Sequence, residues 1–323
     1  ETDRSFAVLV DGAIIKPKPG FHDSQPVKVY AVTLFLLKKK ARTWLKRFPA
    51  LRPVARWVFH KALEIRLVAV RRTFKDKYGC VYRFHREHLI QKQMAVQGYW
   101  EDDTTALIDS RDWSGARVVE VGANFGAHTL PFALHCGKGG GGSVIAVEAS
   151  EWAASELRHN IQLNELADNV RVIEGFVSSG AHTRDVEFTS FYSDLTHLVN
   201  TRVETRATTT IDDICTGDDR IDLLKIDTDG YDLDVLLGAE RTVRRLKPLL
   251  YVEVSRSLAK AHHTPDLLYA WLVAHDYSPM IWDYESRTFE PLSVDVLLER
   301  LKVEPAMNIL AIHKSQSADS VSR

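Results

Sequence analysis

Glu120, Gly122 and Gly126 stand close together in VVEVGANFGAHT, the segment from Val118 to Thr129. An apolar run that ends in glycines reads as a strand and a tight turn, where backbone can approach a ligand with no side chain in the way. Two nucleotide chemistries compete for such a turn. A dinucleotide prefers G-x-G-x-x-G, because its pyrophosphate rests on a helix N-terminus. Here the spacing is G-x-x-x-G, with Asn124 where a middle glycine would stand. Glu120, two residues before Gly122, would repel a pyrophosphate and suits a cation such as the sulfonium and ammonium of S-adenosylmethionine. Glu148 ends the next apolar run, SVIAVE, where a carboxylate can accept both ribose hydroxyls of either cofactor. The helix after the turn is expected to start near Asn124 and to aim its free amides at the same place.

A second cluster lies in DLLKIDTDGYDLDVLLGAE, from Asp222 to Glu240. Asp227 is expected at the mouth of the central crevice, where it can bind a substrate hydroxyl, act as general base or hold a metal. Asp229 reads equally well as the acid that caps the next helix. Lys225 is awkward inside an apolar strand and calls for a carboxylate, with Glu253 of LLYVEV as the expected partner. Asp227 and Glu253 at adjacent strand ends could also take a hard divalent cation, although no third ligand is evident. His128, His197, His262 and His263 are the histidines within reach. His197 ranks first, because its segment FYSDLTHLVN connects elements across the crevice.

The elements that must position these residues follow from periodicity. After Gly115, apolar runs (ARVVEV, SVIAVE, NVRVIE, IDLLKI, LLYVEV, SPMIWD, MNILAIH) alternate with helical segments. Continuous apolar strands separated by helices imply a buried, mostly parallel sheet in a doubly wound α/β fold. VEFTS and RVETRA read as extra strands between the third and fourth of these runs. HLIQKQMAVQGYW reads as a helix ended near Gly98. Residues 29–74 look like two basic helices broken at FPALRP.

The chain has 323 residues and a formal net charge of −1, so global charge names no partner. Its distribution is uneven, with 18 Lys and Arg against 3 acidic residues between Lys28 and Lys92. Such a segment suits an anionic membrane surface or packs on the main domain with its lysines in water. The three cysteines are far apart and show no metal-ligand spacing, which points to a reducing compartment and a cytoplasmic location. The longest apolar run, Val29 to Leu37, is too short to span a bilayer.

Taken in order, VVEVGANFGAHTLPFA, VIAVEAS, HNIQLNEL, TTTIDDI, DLLKIDTDGYDLDVLLGAE and PLLYVEVS resemble the FkbM-type methyltransferases, a class I S-adenosylmethionine-dependent group. The resemblance runs from about Tyr82 to His313. It implies a methyltransferase domain over 82–323, a basic helical extension over 1–81, and a Rossmann-like, seven-stranded sheet whose last strand is antiparallel. It implies O-methylation, often of sugar or polyketide hydroxyls. By motif position it gives cofactor contacts to Glu120, Gly122, Asn124, Gly126 and Glu148, and places Asp227 toward the substrate. Asn160 and Asn164 match the family's paired asparagines. GYWEDDTT resembles the segment that closes over the cofactor, which adds Glu101, and Glu174 at the end of NVRVIE completes the cofactor set. His128 departs from the family's usual aromatic or aliphatic residue. Pro131 falls inside the first helix and is expected to bend it.

The expected activity is therefore methyl transfer to a hydroxyl of a sugar, glycan or glycolipid, with Asp227, Lys225 and His197 as the catalytic candidates. The basic arm suits an acceptor near a membrane surface, so a peripheral membrane association is expected. The alternatives are an RNA methyltransferase and a non-catalytic cofactor-binding module. Against nucleic acid, the chain has no N/D-P-P-Y/F tetrapeptide, and its basic arm has no aromatic stacking pattern. An NAD oxidoreductase is disfavoured by Glu120.

Overall fold

The computed structural model describes residues 8–10, 13–15, 72–86, 88–138, 140–190 and 200–316. The chain divides into two compact units, residues 1–62 and 63–323. In the first, β1 (Val8–Val10) pairs with β2 (Ala13–Ile15) as an antiparallel hairpin. Nearly all of the two expected basic helices, and His197, lie outside the described residues.

The second unit opens with a hairpin of β3 (Thr73–Lys75) and β4 (Val81–Arg83). Helices α1 (Leu89–Gln97) and α2 (Asp102–Asp109) follow. Gly98 ends α1 in the left-handed region, as its sequence predicts. The main alternation is β5 (Arg117–Val121), α3 (Thr129–Cys136), β6 (Ser143–Glu148), α4 (Glu151–Leu163) and β7 (Val170–Glu174). A small sheet comes next, from β8 (Phe176–Val177), β9 (Thr183–Ser190) and β10 (Asn200–Thr209). β9 and β10 are the two extra strands expected from VEFTS and RVETRA, and they pair antiparallel. The chain continues through α5 (Ile211–Ile214), β11 (Leu223–Ile226), α6 (Asp232–Leu237), α7 (Glu240–Leu246) and β12 (Leu249–Ser255). It ends with α8 (Pro265–Ala274), β13 (Tyr277–Asp283), β14 (Thr288–Pro291), α9 (Val294–Leu301) and β15 (Ala306–His313).

The main sheet has the order β14-β13-β15-β12-β11-β5-β6-β7. The five strands from β12 to β7 are parallel to one another. β15 runs against both β12 and β13, so the last strand is antiparallel as expected. The sheet has eight strands rather than seven, because β14 folds back on β13 at the edge. Its four residues are mostly exposed and carry no apolar run, so the hydrophobic pattern hides them.

Alternation along each strand fills two cores. Val118, Leu223, Tyr251 and Leu310 face one side, packed with residues of α1 to α4. Val119, Leu224, Val252 and Ile309 face the other, packed with α6 to α9. Helices on both faces bury the central strands β5, β11 and β12 almost wholly, which is why they read as continuous apolar runs. All three cysteines are free and buried. No described helix is long and apolar enough to cross a membrane.

Candidate functional site

At the carboxyl end of β5 the chain turns through Gly122, Asn124 and Gly126, all at positive φ. A Cβ at Gly122 would land on the carbonyl oxygen of Asp227. Glycine alone lets the ends of β5 and β11 close up, with the Asp227 amide donating to the Val121 carbonyl at 3.0 Å. Asn124, at φ +51, is one of the residue types that tolerates the left-handed region. Its amide donates to Glu148 Oε2 at 2.7 Å, and the Ser150 amide donates to Oε1 at 2.7 Å. Each Glu148 oxygen keeps a lone pair for a hydroxyl, so the turn and this carboxylate fit the ribose of a nucleoside. Burial lifts the Glu148 carboxyl to about 7, against the pull of these amides.

The helix after the turn begins at Thr129, not near Asn124. Positive φ at Asn124 and Gly126 cannot continue a helix, so the amides beside Glu148 belong to the turn. Pro131 is the third residue of α3, where an amide has no intrahelical partner in any case. The expected bend therefore has no cause. Asn160 and Asn164 explain their pairing structurally. Asn160 donates to the Phe125 carbonyl and accepts from the Arg83 amide, both at 2.9 Å. Asn164 exchanges two 2.7 Å bonds with the Val81 backbone. The pair ties α4 to β4 and to the glycine turn.

Beneath the turn lies a buried ion cluster. The parallel register sets Lys225 beside Glu120 and beside Tyr251. Lys225 Nζ lies 3.4 Å from Glu120 Oε1 and 3.2 Å from Asp227 Oδ2. Glu120 is 1 % exposed, and its other oxygen accepts from the Thr129 hydroxyl at 2.5 Å. The expected partner of Lys225, Glu253, is two residues beyond Tyr251 along β12, and its carboxylate makes no hydrogen bond or ion pair among the described residues. Burial alone would lower the Lys225 pKa, but Asp227, Glu120 and Glu101 outweigh it and hold the ammonium charged. Lys225 is thus the cation of the cluster, held between Glu120 and Asp227. Glu120 already has its countercharge, so its carboxylate serves the ion cluster before it serves any ligand.

Asp227 keeps a side chain 26 % exposed, open to the crevice. Asp229 does not cap a helix. It sits at φ +53, and burial first, then Asp227, lifts its carboxyl to about 6. The turn is held by Asp232, which accepts from the Thr228 amide and hydroxyl and from the Gly230 amide. Glu174 lies beside Glu148 in register, but its exposed carboxylate is taken by Arg158 at 2.9 Å. His263 is paired with Asp234.

Glu101 stands just before α2, at φ +56. The strained peptide before it is pinned, because the Trp100 carbonyl accepts from His128 Nε2 and from the Thr105 hydroxyl, each at 3.2 Å. His128 is buried and burial holds its ring neutral, consistent with an Nε2–H donor. Thr104 and Asn308 donate to the Glu101 carboxylate, and Asn308 also donates to Asp103. Burial, with the charges of Asp227 and Asp103, lifts Glu101 to about 7. Asp103, Asp232 and Asn308 escape the sequence reading. Asp103 stands in the quoted GYWEDDTT and Asp232 in the quoted Asp-rich segment, whereas Asn308 carries no motif. Among the described residues no group of three His, Cys, Asp or Glu comes together so as to hold a metal ion.

Residues 120–279 match the methyltransferase FkbM domain. No curated protein matches the chain. Among solved structures, the O-methyltransferase from Bacillus cereus in complex with SAH is 17 % identical, with TM-score 0.38, over 65 % of this chain and 80 % of that one. Precorrin-6y C5,15-methyltransferase from Geobacter metallireducens is 13 % identical, with TM-score 0.35, over 65 % and 86 %. A SAM-dependent methyltransferase from Aquifex aeolicus is 12 % identical, with TM-score 0.37, over 65 % and 89 %.

Proposed function

We propose that this chain, an S-adenosylmethionine-dependent methyltransferase carrying an FkbM domain, methylates a hydroxyl of a sugar or glycan. The observation that carries the reading is Asp227. It stands at the carboxyl end of the central strand, oriented by buried Lys225 and partly open to the crevice beside the glycine turn. The donor supplies a methyl group on a positive sulfur, and transfer is an in-line displacement. An alcohol is a poor nucleophile, so its proton must leave during or before transfer. Asp227 is the carboxylate placed to accept that proton. Gly122, Asn124 and Glu148 hold the nucleoside, and Glu101, fixed by Thr104 and Asn308, closes the crevice. Glu120 acts through Lys225 as a positioning residue, and His197 remains a candidate to assist Asp227.

The test is transfer of radiolabelled methyl from S-adenosylmethionine to a glycan panel, run beside RNA. Product on glycans is expected. Product on RNA alone would replace this reading with the nucleic-acid one, and donor binding with no product on either would favour a binding module. The basic segment supports a peripheral association with anionic membrane. A chain lacking residues 28–62 should stop sedimenting with anionic vesicles, and continued sedimentation would remove that part of the reading.

A further inference from the structure

A cavity of about 180 Å³ adjoins the crevice where β12 and β13 end and β15 begins. Glu101 and Glu253 line it on the crevice side, Trp282 and Tyr284 on the outer side, with Arg300 on α9 and Asn308 on β15. Glu253 joins the two spaces, since the register of β11 and β12, with Ile226 beside Val252, sets it next to Asp227. We propose that this cavity is the acceptor subsite and that it takes a polyhydroxyl ring bearing a protonated amine, in preference to one bearing phosphate or carboxylate. The proposal rests on the reading of the chain as a methyltransferase of sugar hydroxyls.

Three independent features point to that ligand. The first is shape and surface. Trp282, the last residue but one of β13, is buried with its ring against Phe289 at 5.1 Å, while Tyr284 stands 60 % exposed at the rim. Aromatic faces beside carboxylates give a ring both an apolar wall and hydrogen-bond acceptors. The second is charge. Glu101, Asp102, Asp103, Glu253 and Glu304 line the space against one cation, Arg300. A phosphate would face these carboxyls with like charge and offer them no donor, whereas an ammonium donates to them and favours their ionised form. The third is Glu253. Most of the other acids have partners: Glu101 and Asp103 share Asn308, and Asp102 accepts from the Tyr99 hydroxyl. The Glu253 carboxylate has no hydrogen bond or ion pair among the described residues, although its backbone lies in the ladder of β12 and β15. Burial and the charges of Asp227, Asp232, Asp229 and Glu101 push its carboxyl up, the state that a neighbouring ammonium would reverse.

The experiment measures binding and turnover separately. Glucosamine, glucose and phosphorylated glucose are titrated into the complex with S-adenosylhomocysteine, and the same sugars, and glycans ending in them, are offered as methyl acceptors. Glucosamine should bind at least about tenfold more tightly than the phosphorylated sugar. Glu253→Gln should erase most of that preference and leave donor affinity unchanged. Tyr284→Ala, at an exposed ring that the fold does not need, should weaken all three sugars together. Equal or tighter binding of the phosphorylated sugar would overturn the proposal, as would a Glu253→Gln chain that keeps the full preference. Charge-selective binding without methyl product would leave the subsite standing and remove the hydroxyl-transfer reading. Methyl product without charge selectivity would do the reverse.

Discussion

The two halves of the crevice are built by different means. The donor half, at the ends of β5, β6 and β11, is mostly backbone. Gly122, Asn124 and the Ser150 amide shape it, and its residues lie in a few short segments. The acceptor half, at the ends of β12, β13 and β15, is side chain. Glu101, Glu253, Trp282 and Asn308 meet there from four distant places in the chain. A backbone cradle is specified by glycines and turns and serves one constant ligand. A side-chain pocket can change residue by residue, which is where specificity for a variable ligand belongs.

Lys225 lies where both halves meet, and its loss should cost most. Lys225→Met leaves Glu120 buried without countercharge and should destabilise the fold by about 3–5 kcal/mol in denaturant titration. A smaller loss would mean that the two halves do not depend on a common ion cluster. Asp227→Asn should lower kcat by about 10²–10⁴ with donor affinity nearly intact, measured by single turnover and calorimetry. If donor affinity collapses instead, Asp227 belongs to the donor half. Glu148→Ala removes the acceptor for two amides and for the ribose, so donor affinity should fall about tenfold or more while the acceptor KM holds. If the acceptor KM moves with it, the separation of the halves fails.

The smallest effect is on pH. Glu101, Glu148 and Asp232 are each lifted to about 7, burial being the main cause. A carboxyl that holds its proton more tightly folded than unfolded contributes stability that is full at low pH and is lost as pH rises through its folded pKa. The Tm of the donor-free chain should therefore fall between about pH 5 and about pH 8. Glu148→Gln should flatten part of that fall, and a Tm that rises over this window would contradict the burial of these groups.

The same contrast decides what the sequence could reveal. The donor half was legible because apolar runs and glycine turns are local signals: VVEVGANFG and SVIAVE led to Gly122 and Glu148, and each turned up at the end of a parallel strand. Helix α3 starts five residues later than expected because a positive φ at Asn124 leaves no periodic trace. The partner of Lys225 is hidden in the sequence for a different reason. Both Glu120 and Glu253 are carboxylates on neighbouring strands, and only the register between β5, β11 and β12 tells them apart. Trp282 and Asn308 carried no local signal at all. They become site residues only when β13 and β15 are laid beside β12.

The position of β15 has a consequence for synthesis. It is the last described strand to leave the ribosome, yet it inserts between β12 and β13, which are made earlier. Until it arrives, both of those strands offer unpaired edges to any neighbouring chain. Asn308 arrives with it, so Glu101 gains its second donor and the acceptor cavity gains a wall only at that moment. A chain that ends before β15 therefore lacks a wall of the acceptor cavity as well as the strand that joins β12 to β13. Chains stopped short of about residue 306 are the ones that should call for a chaperone.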